Sequence, residues 1–231
     1  MISIIIPTLN AEASLAQCLT ALVPGVIDGL VREVIIVDGG SSDRTHAIAD
    51  QAGCEVIHAS RPGRGSQLIA GAAAARHPWL LFLHADSVLQ EGWMREVQTF
   101  IDRVDARQRP PAAAMFSFAL DDLGLKPRLI EWGVAVRCML FRLPYGDQGL
   151  LISRHLYQAR GGFKPLPLME DVDFVRRLAR SERVIFRGEA VTSAIRYKRD
   201  GYAKRAARNV TCLALYFARV PIPALVKLYR S

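Results

Sequence analysis

The chain has 231 residues, 51% of them hydrophobic and 8% aromatic, a composition that supports a sizeable core and excludes a disordered protein. Its four cysteines are far apart, which argues against a zinc site or a disulfide framework and indicates a reducing, cytoplasmic setting. The net charge is +8, and it falls entirely within residues 196–231, where nine Lys/Arg residues accompany one acid, which indicates either a phosphate-rich partner or a solvated basic face.

Strand and helix patterns alternate through the first half of the chain. Apolar runs predict strands at 2–7, 33–37, 55–59 and 79–83, and helical periodicity predicts helices near 12–23, 43–52 and 66–75. Met1 leads directly into the first strand, without a secretory signal. Continuous apolar strands that alternate with helices are typical of a parallel sheet covered on both faces. The predicted fold class is therefore α/β.

The second half is less regular but shows no repeat or low-complexity linker. Its patterns predict helices near 93–106, 128–142, 170–180 and 200–218, and strands at 115–120, 150–153 and 184–187. One domain over residues 1–231 is the simplest interpretation.

Polar residues follow three of the predicted strands at the edge where ligands bind to open α/β sheets. Thr8 and Asn10 follow the first strand, and Asp38 follows the second, directly before Gly39-Gly40. Asp38 could accept hydrogen bonds from a base or from ribose hydroxyls, or it could cap the following turn. Both interpretations stay open.

The fourth strand delivers His84 and Asp86 to its tip. Two residues apart on an extended chain, their side chains would share one side. Asp86 offers the carboxylate oxygen that Mg²⁺ requires when it bridges phosphates, whereas His84 suits Mn²⁺ better or serves as a hydrogen-bonding partner.

Three loops offer further polar groups. Arg61, Arg64 and Gly65 precede a helix and could hold a phosphate. Glu170-Asp171 begins a helix, where acids stabilise the N-terminus, but a carboxylate there could also act as general base toward an acceptor hydroxyl. The segment 146–149, Gly-Asp-Gln-Gly, would line an acceptor site or form an ordinary turn.

Together these segments resemble glycosyltransferase family 2, the inverting enzymes of the GT-A fold. Residues 3–10 resemble the family's first strand and loop, and residues 37–45 its uridine-contacting turn. His84-Ala85-Asp86 falls where the Asp-x-Asp metal motif belongs, with His84 in place of the first Asp, and Glu170-Asp171 matches the catalytic pair. The short chain, Gly-Asp-Gln-Gly and Met169-Glu170-Asp171 also resemble the small bacterial radical-SAM/selenodomain-associated transferases.

The resemblance implies a mixed, mainly parallel GT-A sheet with a helical C-terminal segment. It implies hexosyl transfer with inversion from a nucleoside-diphosphate sugar, UDP-linked, with Mg²⁺ or Mn²⁺ at Asp86 and His84 and with Asp171, beside Glu170, as the base. The implied nucleotide-binding set is Pro7, Thr8, Asn10, Asp38, Gly39, Arg64 and Ala85. The implied acceptor and diphosphate side comprises Gly146, Asp147, Gln148, Arg196 and Lys198. Residues 1–110 would form the nucleotide half, 111–195 the acceptor half and 196–231 the tail.

Other functions remain in competition. An oxidoreductase would need Gly-x-Gly-x-x-Gly after the first strand, and a nucleotidylyltransferase a glycine-rich basic loop there; neither is present. A nucleotide-sugar-binding protein without turnover is supported by the altered metal motif alone.

The sequence says less about partners other than the sugar donor, namely nucleic acid, the acceptor, a membrane or a second copy of the chain. No interleaving of aromatic and basic residues marks a nucleic-acid groove, and the acceptor is not specified. The apolar tail 210–229 is interrupted by Arg219, Pro221 and Pro223, so it is not predicted to span a membrane. It would either lie on the inner face of the membrane or pack on the core or in a homodimer, and the packed alternative is favoured slightly.

Overall fold

Eight strands form one sheet in a computed structural model that describes residues 1–61 and 63–230. The strands are β1 (Ile2–Thr8), β2 (Val31–Asp38), β3 (Glu55–His58), β4 (Trp79–Phe82), β5 (Ser87–Leu89), β6 (Ala113–Leu120), β7 (Leu150–Ser153) and β8 (Arg183–Thr192). Their order in the sheet is β3-β2-β1-β4-β7-β6-β8-β5. One sheet therefore contains strands from both halves of the chain.

The helices are α1 (Leu15–Thr20), α2 (Val23–Ile27), α3 (Thr45–Gln51), α4 (Arg64–Ala74), α5 (Trp93–Asp105), α6 (Leu125–Phe141), α7 (Arg154–Ala159), α8 (Glu170–Arg177), α9 (Ile195–Asp200), α10 (Tyr202–Phe217) and α11 (Ile222–Arg230). Short 3₁₀ turns lie at Gly146–Gln148 and Arg180–Glu182.

The sheet is mixed and mainly parallel, as predicted. Strand β1 runs parallel to β2 and β4, β2 runs parallel to β3, and β6 runs parallel to β8. Strand β7 is antiparallel to β4 and β6, and β5 is antiparallel to β8. The carboxyl ends of β1 to β4 consequently meet along one edge, which carries Asp38 and residues 84–86.

Both faces of the sheet are covered by helices. Along β1, Ile4 and Ile6 belong to one core cluster and Ile5 to the other, which is the alternation that a pleated strand imposes. The first cluster includes residues of α1 and α5, and the second includes residues of α4, α7 and α8. This double burial explains why the strands read as continuous apolar runs.

Several element predictions need correction. The segment predicted as one helix over 12–23 contains α1 and the start of α2. Pro24 lies in the first turn of α2, where proline favours a new helix start. The strand predicted at 184–187 extends as β8 over ten residues. Strand β5 and helix α7 were not predicted, since three and six residues give too little periodicity.

The C-terminal tail packs on the protein. Cys212 of α10 and Leu225 of α11 are buried with Met169 and Val172 in a third apolar cluster. This is the packed alternative that the sequence favoured. Among the described residues, no helix is both long and apolar enough to cross a membrane.

We expect Gly71→Ala to destabilise the fold by about 1–3 kcal/mol, because a Cβ there would lie 2.3 Å from Ile5 Cγ2 and 2.9 Å from Val37 Cγ2. Urea unfolding followed by circular dichroism measures this change. Gly133→Ala in α6 is the matched control: its Cβ would meet nothing within 4 Å, so it should be neutral or stabilising by up to about 1 kcal/mol. Equal stability of the two variants would contradict the close packing of α4 on β1 and β2.

Candidate active site

Asp38 ends β2 as a buried carboxylate that is fully hydrogen-bonded. Its Oδ2 accepts the backbone N–H groups of Gly40 and Ser41, both at 2.8 Å, and lies 3.1 Å from His46 Nε2. Its Oδ1 accepts Ser41 Oγ at 2.5 Å and Thr8 Oγ1 at 3.1 Å. Burial opposes ionisation, but the hydrogen bonds from Ser41 and Gly40 outweigh it and hold the pKa of Asp38 well below its ordinary value.

The loops after β1 and β2 form one unit. Asn10 adopts a left-handed φ of 51°, its N–H donates to Ser41 Oγ at 2.8 Å, and its Oδ1 accepts the N–H of Ser42 at 2.9 Å. A Cβ at Gly39 would lie 3.0 Å from Gln67 Nε2 and 3.3 Å from Thr8 O, so the loop leaves little room for a side chain there. The structure thus brings Thr8, Asn10, Asp38 and Gly39 together, with Pro7 one residue earlier on β1.

Gln67 supports this unit and was missed by the sequence analysis. Its buried Nε2 donates to Thr8 O at 2.7 Å and to Val37 O at 2.8 Å, which links the ends of β1 and β2. An amide-bearing residue on the apolar face of an alanine-rich helix was the available signal. His46, whose Nε2 faces Asp38, had no such signal in its sequence context.

The segment 84–86 is a turn, not a continuation of β4. Strand β4 ends at Phe82, and Ser87 N donates to His84 O at 3.1 Å. The expectation that His84 and Asp86 share one side of an extended chain is therefore wrong. Asp86 is partly exposed and lies 3.6 Å from Arg196 Nη2, Ala85 is buried within the turn, and His84 contacts other groups.

Both ring nitrogens of His84 face protein partners. Arg64 Nη1 lies 3.3 Å from His84 Nε2, and an arginine can only donate, so Nε2 accepts. The proton then sits on Nδ1, which lies 3.2 Å from Asp147 Oδ1. This geometry leaves no lone pair of His84 for a metal, so it does not support the prediction that His84 is a metal ligand.

Arg64 reaches across the site to the acidic pair of α8. Its Nε donates to Glu170 Oε1, and its Nη2 lies 3.7 Å from Asp171 Oδ2. We predicted a phosphate-binding role for Arg64, and in the structure its guanidinium contacts these carboxylates and His84. Because Arg64 contacts both His84 and the acidic pair, the turn after β4 and the start of α8 lie next to each other.

Glu170 is fully buried, whereas Asp171 is partly accessible. Burial raises the pKa of Glu170, and the nearby Arg64 guanidinium offsets this in part. Glu170 Oε2 has no hydrogen-bond partner among the described residues. It lies beside a cavity of about 20 Å³ that is also lined by His84, Tyr145, Asp171 and apolar side chains.

The predicted acceptor side divides into two groups. Asp147 lies in the 3₁₀ turn that begins at Gly146 and pairs with His84, and Arg196 lies near Asp86. Gln148 is buried and donates to Phe116 O at 2.8 Å, so it fixes the turn to β6 and does not line an acceptor site. Lys198 pairs with Asp122 at 3.1 Å, so its ammonium is neutralised by a carboxylate outside the predicted site.

One further grouping lies beside the nucleotide loops. Within the described part of the chain, Asp38, His46 and His58 are the three residues whose ligand atoms all lie within 4.8 Å of one another. The two imidazoles stack with centroids 5.1 Å apart, and Asp38 already accepts four hydrogen bonds besides its contact with His46. This arrangement is a carboxylate–imidazole pair supporting the loop, and it does not include Asp86.

The mixed, mainly parallel sheet has the form of the GT-A fold. The family model described as Glycosyl transferase family 2 matches residues 3–108, which confirms the resemblance drawn from the motifs. An uncharacterized glycosyltransferase of Mycobacterium tuberculosis is 31% identical over 115 residues, 48% of this chain and 50% of that protein. The chain therefore spans about half the length of this relative.

Two further comparisons cover more of the chain. A PGL/p-HBAD biosynthesis glycosyltransferase of Mycobacterium bovis is 30% identical over 172 residues, 71% of this chain and 63% of that protein. The crystal structure of Mycobacterium tuberculosis glucosyl-3-phosphoglycerate synthase with Mn²⁺, UDP and glucosyl-3-phosphoglycerate superimposes with a TM-score of 0.67 at 20% identity, over 96% of this chain and 81% of that one. The second similarity confirms the GT-A fold.

We expect Arg64→Leu to destabilise the protein by about 3 kcal/mol at pH 7.5, because it leaves the buried Glu170 carboxylate without its counter-ion. Loss of the guanidinium raises the folded pKa of Glu170 further above its unfolded value. A carboxyl with a raised folded pKa binds its proton more tightly in the folded state, so the loss should shrink as the pH falls toward 5. Urea unfolding at both pH values measures it.

Arg64→Lys, which keeps the positive charge, is the control and should lose less. A loss in Arg64→Leu that does not change with pH would show that the contact with Glu170 is not what the guanidinium contributes.

Proposed function

We propose that this protein is an inverting glycosyltransferase that moves a hexosyl group from a nucleoside-diphosphate sugar, UDP-linked, to a hydroxyl acceptor. The observation that carries the proposal is the position of Arg64 between His84, two residues before Asp86, and Asp171. The metal-motif turn of the nucleotide half, residues 1–110, and the acidic pair of the acceptor half, residues 111–195, therefore border one space.

The nucleoside would bind along the loops after β1 and β2. Thr8, Asn10, Asp38 and Gly39 are held in one conformation by hydrogen bonds to each other and to Gln67 and Ser41. A preformed loop loses little conformational entropy when it binds a base. The buried carboxylate of Asp38 already accepts hydrogen bonds from Thr8, Gly40 and Ser41, so its role would be to hold the loop in the shape that receives the base. Pro7 and Ala85 would complete the walls of the nucleoside-binding site.

The turn after β4 fits a divalent cation through one carboxylate. Asp86 is partly exposed at the sheet edge, and its contact with Arg196 at 3.6 Å is longer than a hydrogen bond, so its oxygens can take a hard cation. Mg²⁺ or Mn²⁺ held there would stabilise the negative charge of the leaving diphosphate. The solved structure of glucosyl-3-phosphoglycerate synthase with Mn²⁺ and UDP supports this assignment by analogy of fold.

Asp171 would act as the general base. Its carboxylate would accept the proton of the acceptor hydroxyl while that oxygen attacks C1 of the sugar, and the C1–O bond to the diphosphate breaks with its electron pair leaving on the diphosphate. Glu170 lies fully buried behind it and positions Arg64. We assign Glu170 a positioning role because its side chain has no access to substrate.

The cations around the site would stabilise charge on the leaving group. Arg196 is more than half exposed and lies beside Asp86, so it can reach a diphosphate held there. Asp147, more than half exposed and hydrogen-bonded to His84, would face the acceptor. The same geometry would fit a nucleotide-sugar-binding protein without turnover, which the first experiment below excludes or supports.

We expect Asp171→Asn to lower UDP release from a UDP-sugar by 10²–10⁴-fold, because the amide cannot accept the acceptor or water proton. UDP affinity measured by calorimetry should stay within about tenfold, ~1.4 kcal/mol. Asp173→Asn is the matched control, since Asp173 belongs to the same helical turn but pairs with Lys164 and Arg177. Equal turnover in Asp171→Asn and the native protein would remove Asp171 from the mechanism, and no turnover in the native protein with any UDP-sugar would favour a binding protein.

We expect Asp86→Ala to weaken UDP binding at least tenfold in the presence of Mn²⁺ or Mg²⁺ and to leave it unchanged in EDTA. The reason is that the carboxylate acts on the diphosphate through the cation. Titration calorimetry with and without EDTA measures both affinities. A loss of the same size in EDTA would assign Asp86 to the loop structure and not to the metal.

A further inference from the structure

Helix α6 turns an apolar face toward solvent. Leu125, Leu129, Trp132 and Met139 recur at helical spacing along it, with exposed fractions of 84%, 67%, 68% and 72%, and Leu140 beside them is also more than half exposed. Leu123, just before the helix, is 91% exposed. A surface helix normally presents polar residues on this side. A contiguous exposed apolar strip of this kind marks an interaction surface.

The orientation of α6 is fixed by the contacts of its opposite side. Glu131 Oε1 accepts the N–H of Leu120 on β6 at 2.8 Å, and Glu131 also pairs with Arg128. Pro127 and Cys138 are buried on the same side. The helix therefore turns Glu131 inward, toward the sheet, whereas the apolar strip stays outside together with the cationic Lys126 and Arg128.

An arginine cluster lies at the C-terminal end of this strip. Arg142 donates to Arg180 O at 3.0 Å, Arg180 donates to Leu140 O at 3.1 Å, and Arg183 donates to Arg142 O at 3.0 Å. These hydrogen bonds go to main-chain carbonyls, so they do not neutralise the guanidinium charges. The neighbouring Glu182 forms its ion pair with Arg160, which lies outside the cluster.

Two arginines of the cluster, Arg142 and Arg183, also border a groove beside α6. Its volume is about 490 Å³, and it is lined by Arg109, Arg142 and Arg183 together with apolar residues that include Val134, Met139 and Ile185. Arg109 Nε is buried there and has no hydrogen-bond partner among the described residues. The groove carries three arginines against one carboxylate, Glu131, beside apolar side chains, which matches a molecule with an anionic head and a hydrocarbon chain.

We propose that the α6 face, comprising Leu123, Leu125, Leu129, Trp132, Met139 and Leu140 with Arg142, Arg180 and Arg183, docks on an anionic lipid bilayer. Apolar side chains would enter the interface while the arginines bind lipid phosphates. Trp132 fits this arrangement, because tryptophan side chains are enriched at the membrane–water interface. An anionic bilayer supplies both an apolar interior for the strip and phosphates for the arginine cluster, so charge complementarity and apolarity point to one occupant.

This inference places a membrane contact on α6, whereas the sequence analysis left such a contact open for the C-terminal tail and slightly favoured a packed tail. The apolar side chains of α10 and α11 are largely used against Met169 and Val172. The proposal is independent of glycosyl transfer, since it concerns a different surface and a different ligand.

Trp132 provides a direct spectroscopic test. Trp79 and Trp93 are buried, at 1% and 3% exposure, so the change in emission on docking comes from Trp132. With full-length protein, vesicles of phosphatidylcholine containing phosphatidylglycerol should shift the emission to shorter wavelength and protect it from acrylamide. Pure phosphatidylcholine vesicles should bind much more weakly, and 0.5 M NaCl should weaken binding to the anionic vesicles.

Two pairs of variants separate the apolar and the charged contributions in a vesicle co-sedimentation assay. Leu129→Glu with Met139→Glu should reduce partition at least tenfold, and Ile27→Glu on α2, equally exposed but elsewhere, should not. Arg142→Gln with Arg180→Gln should reduce it about thirtyfold, whereas Arg95→Gln with Arg103→Gln, which removes the same charge from α5, should have little effect. Circular dichroism and melting temperature establish that each variant is folded.

Three results would overturn the proposal. They are no binding of the native protein to anionic vesicles, equal binding of the α6 variants and their controls, and an oligomer in solution that already protects Trp132 from acrylamide without vesicles. The last result would assign the α6 face to a second copy of the chain.

Discussion

A buried ion pair between α4 and α8 is the constraint on which the site depends. Arg64 begins the helix that packs on β1 and β2, and Glu170 begins a helix that lies 106 residues later in the sequence. Glu170 is fully buried, so it requires the guanidinium, and the guanidinium in turn contacts Asp171 and His84. Such a pair contributes little net stability, because desolvation offsets its attraction, but it fixes which groups meet.

The ion pair also accounts for the contacts of His84, which stands where the family motif has its first Asp. With Arg64 Nη1 donating to one ring nitrogen and Asp147 accepting from the other, His84 connects the guanidinium to the 3₁₀ turn after α6. The side chain at this position thus organises the protein side of the site. In the proposed function Asp86 would then be the carboxylate of the turn that holds a divalent cation, and Arg196 approaches it from the C-terminal tail.

The sequence predicted what depends on local patterns. Uninterrupted apolar runs predicted β1, β2, β3 and β4. The polar residues that follow these strands, Thr8, Asn10, Asp38 and Asp86, were predicted as site residues because the carboxyl ends of parallel strands share an edge. Contacts between distant segments could not be read in this way. Neither the partner of Arg64 nor the buried role of Gln148 has a local signature, and the turn at 84–86 overrides the extended geometry that spacing alone suggests. The outward face of α6 was also hidden, since its polar residues Arg128, Glu131 and Arg137 are not gathered on one side of the helix and so do not reveal which side is buried.

Diffraction from a crystal soaked with UDP and Mn²⁺, with the metal located by its anomalous signal, tests the central claim most directly. The account predicts manganese bonded to an Asp86 oxygen and to the diphosphate, the base beside Asp38, and Asp171 facing the open side of the diphosphate. Manganese bound instead by Asp38, His46 and His58, or UDP bound away from the carboxyl edge of the sheet, would contradict it.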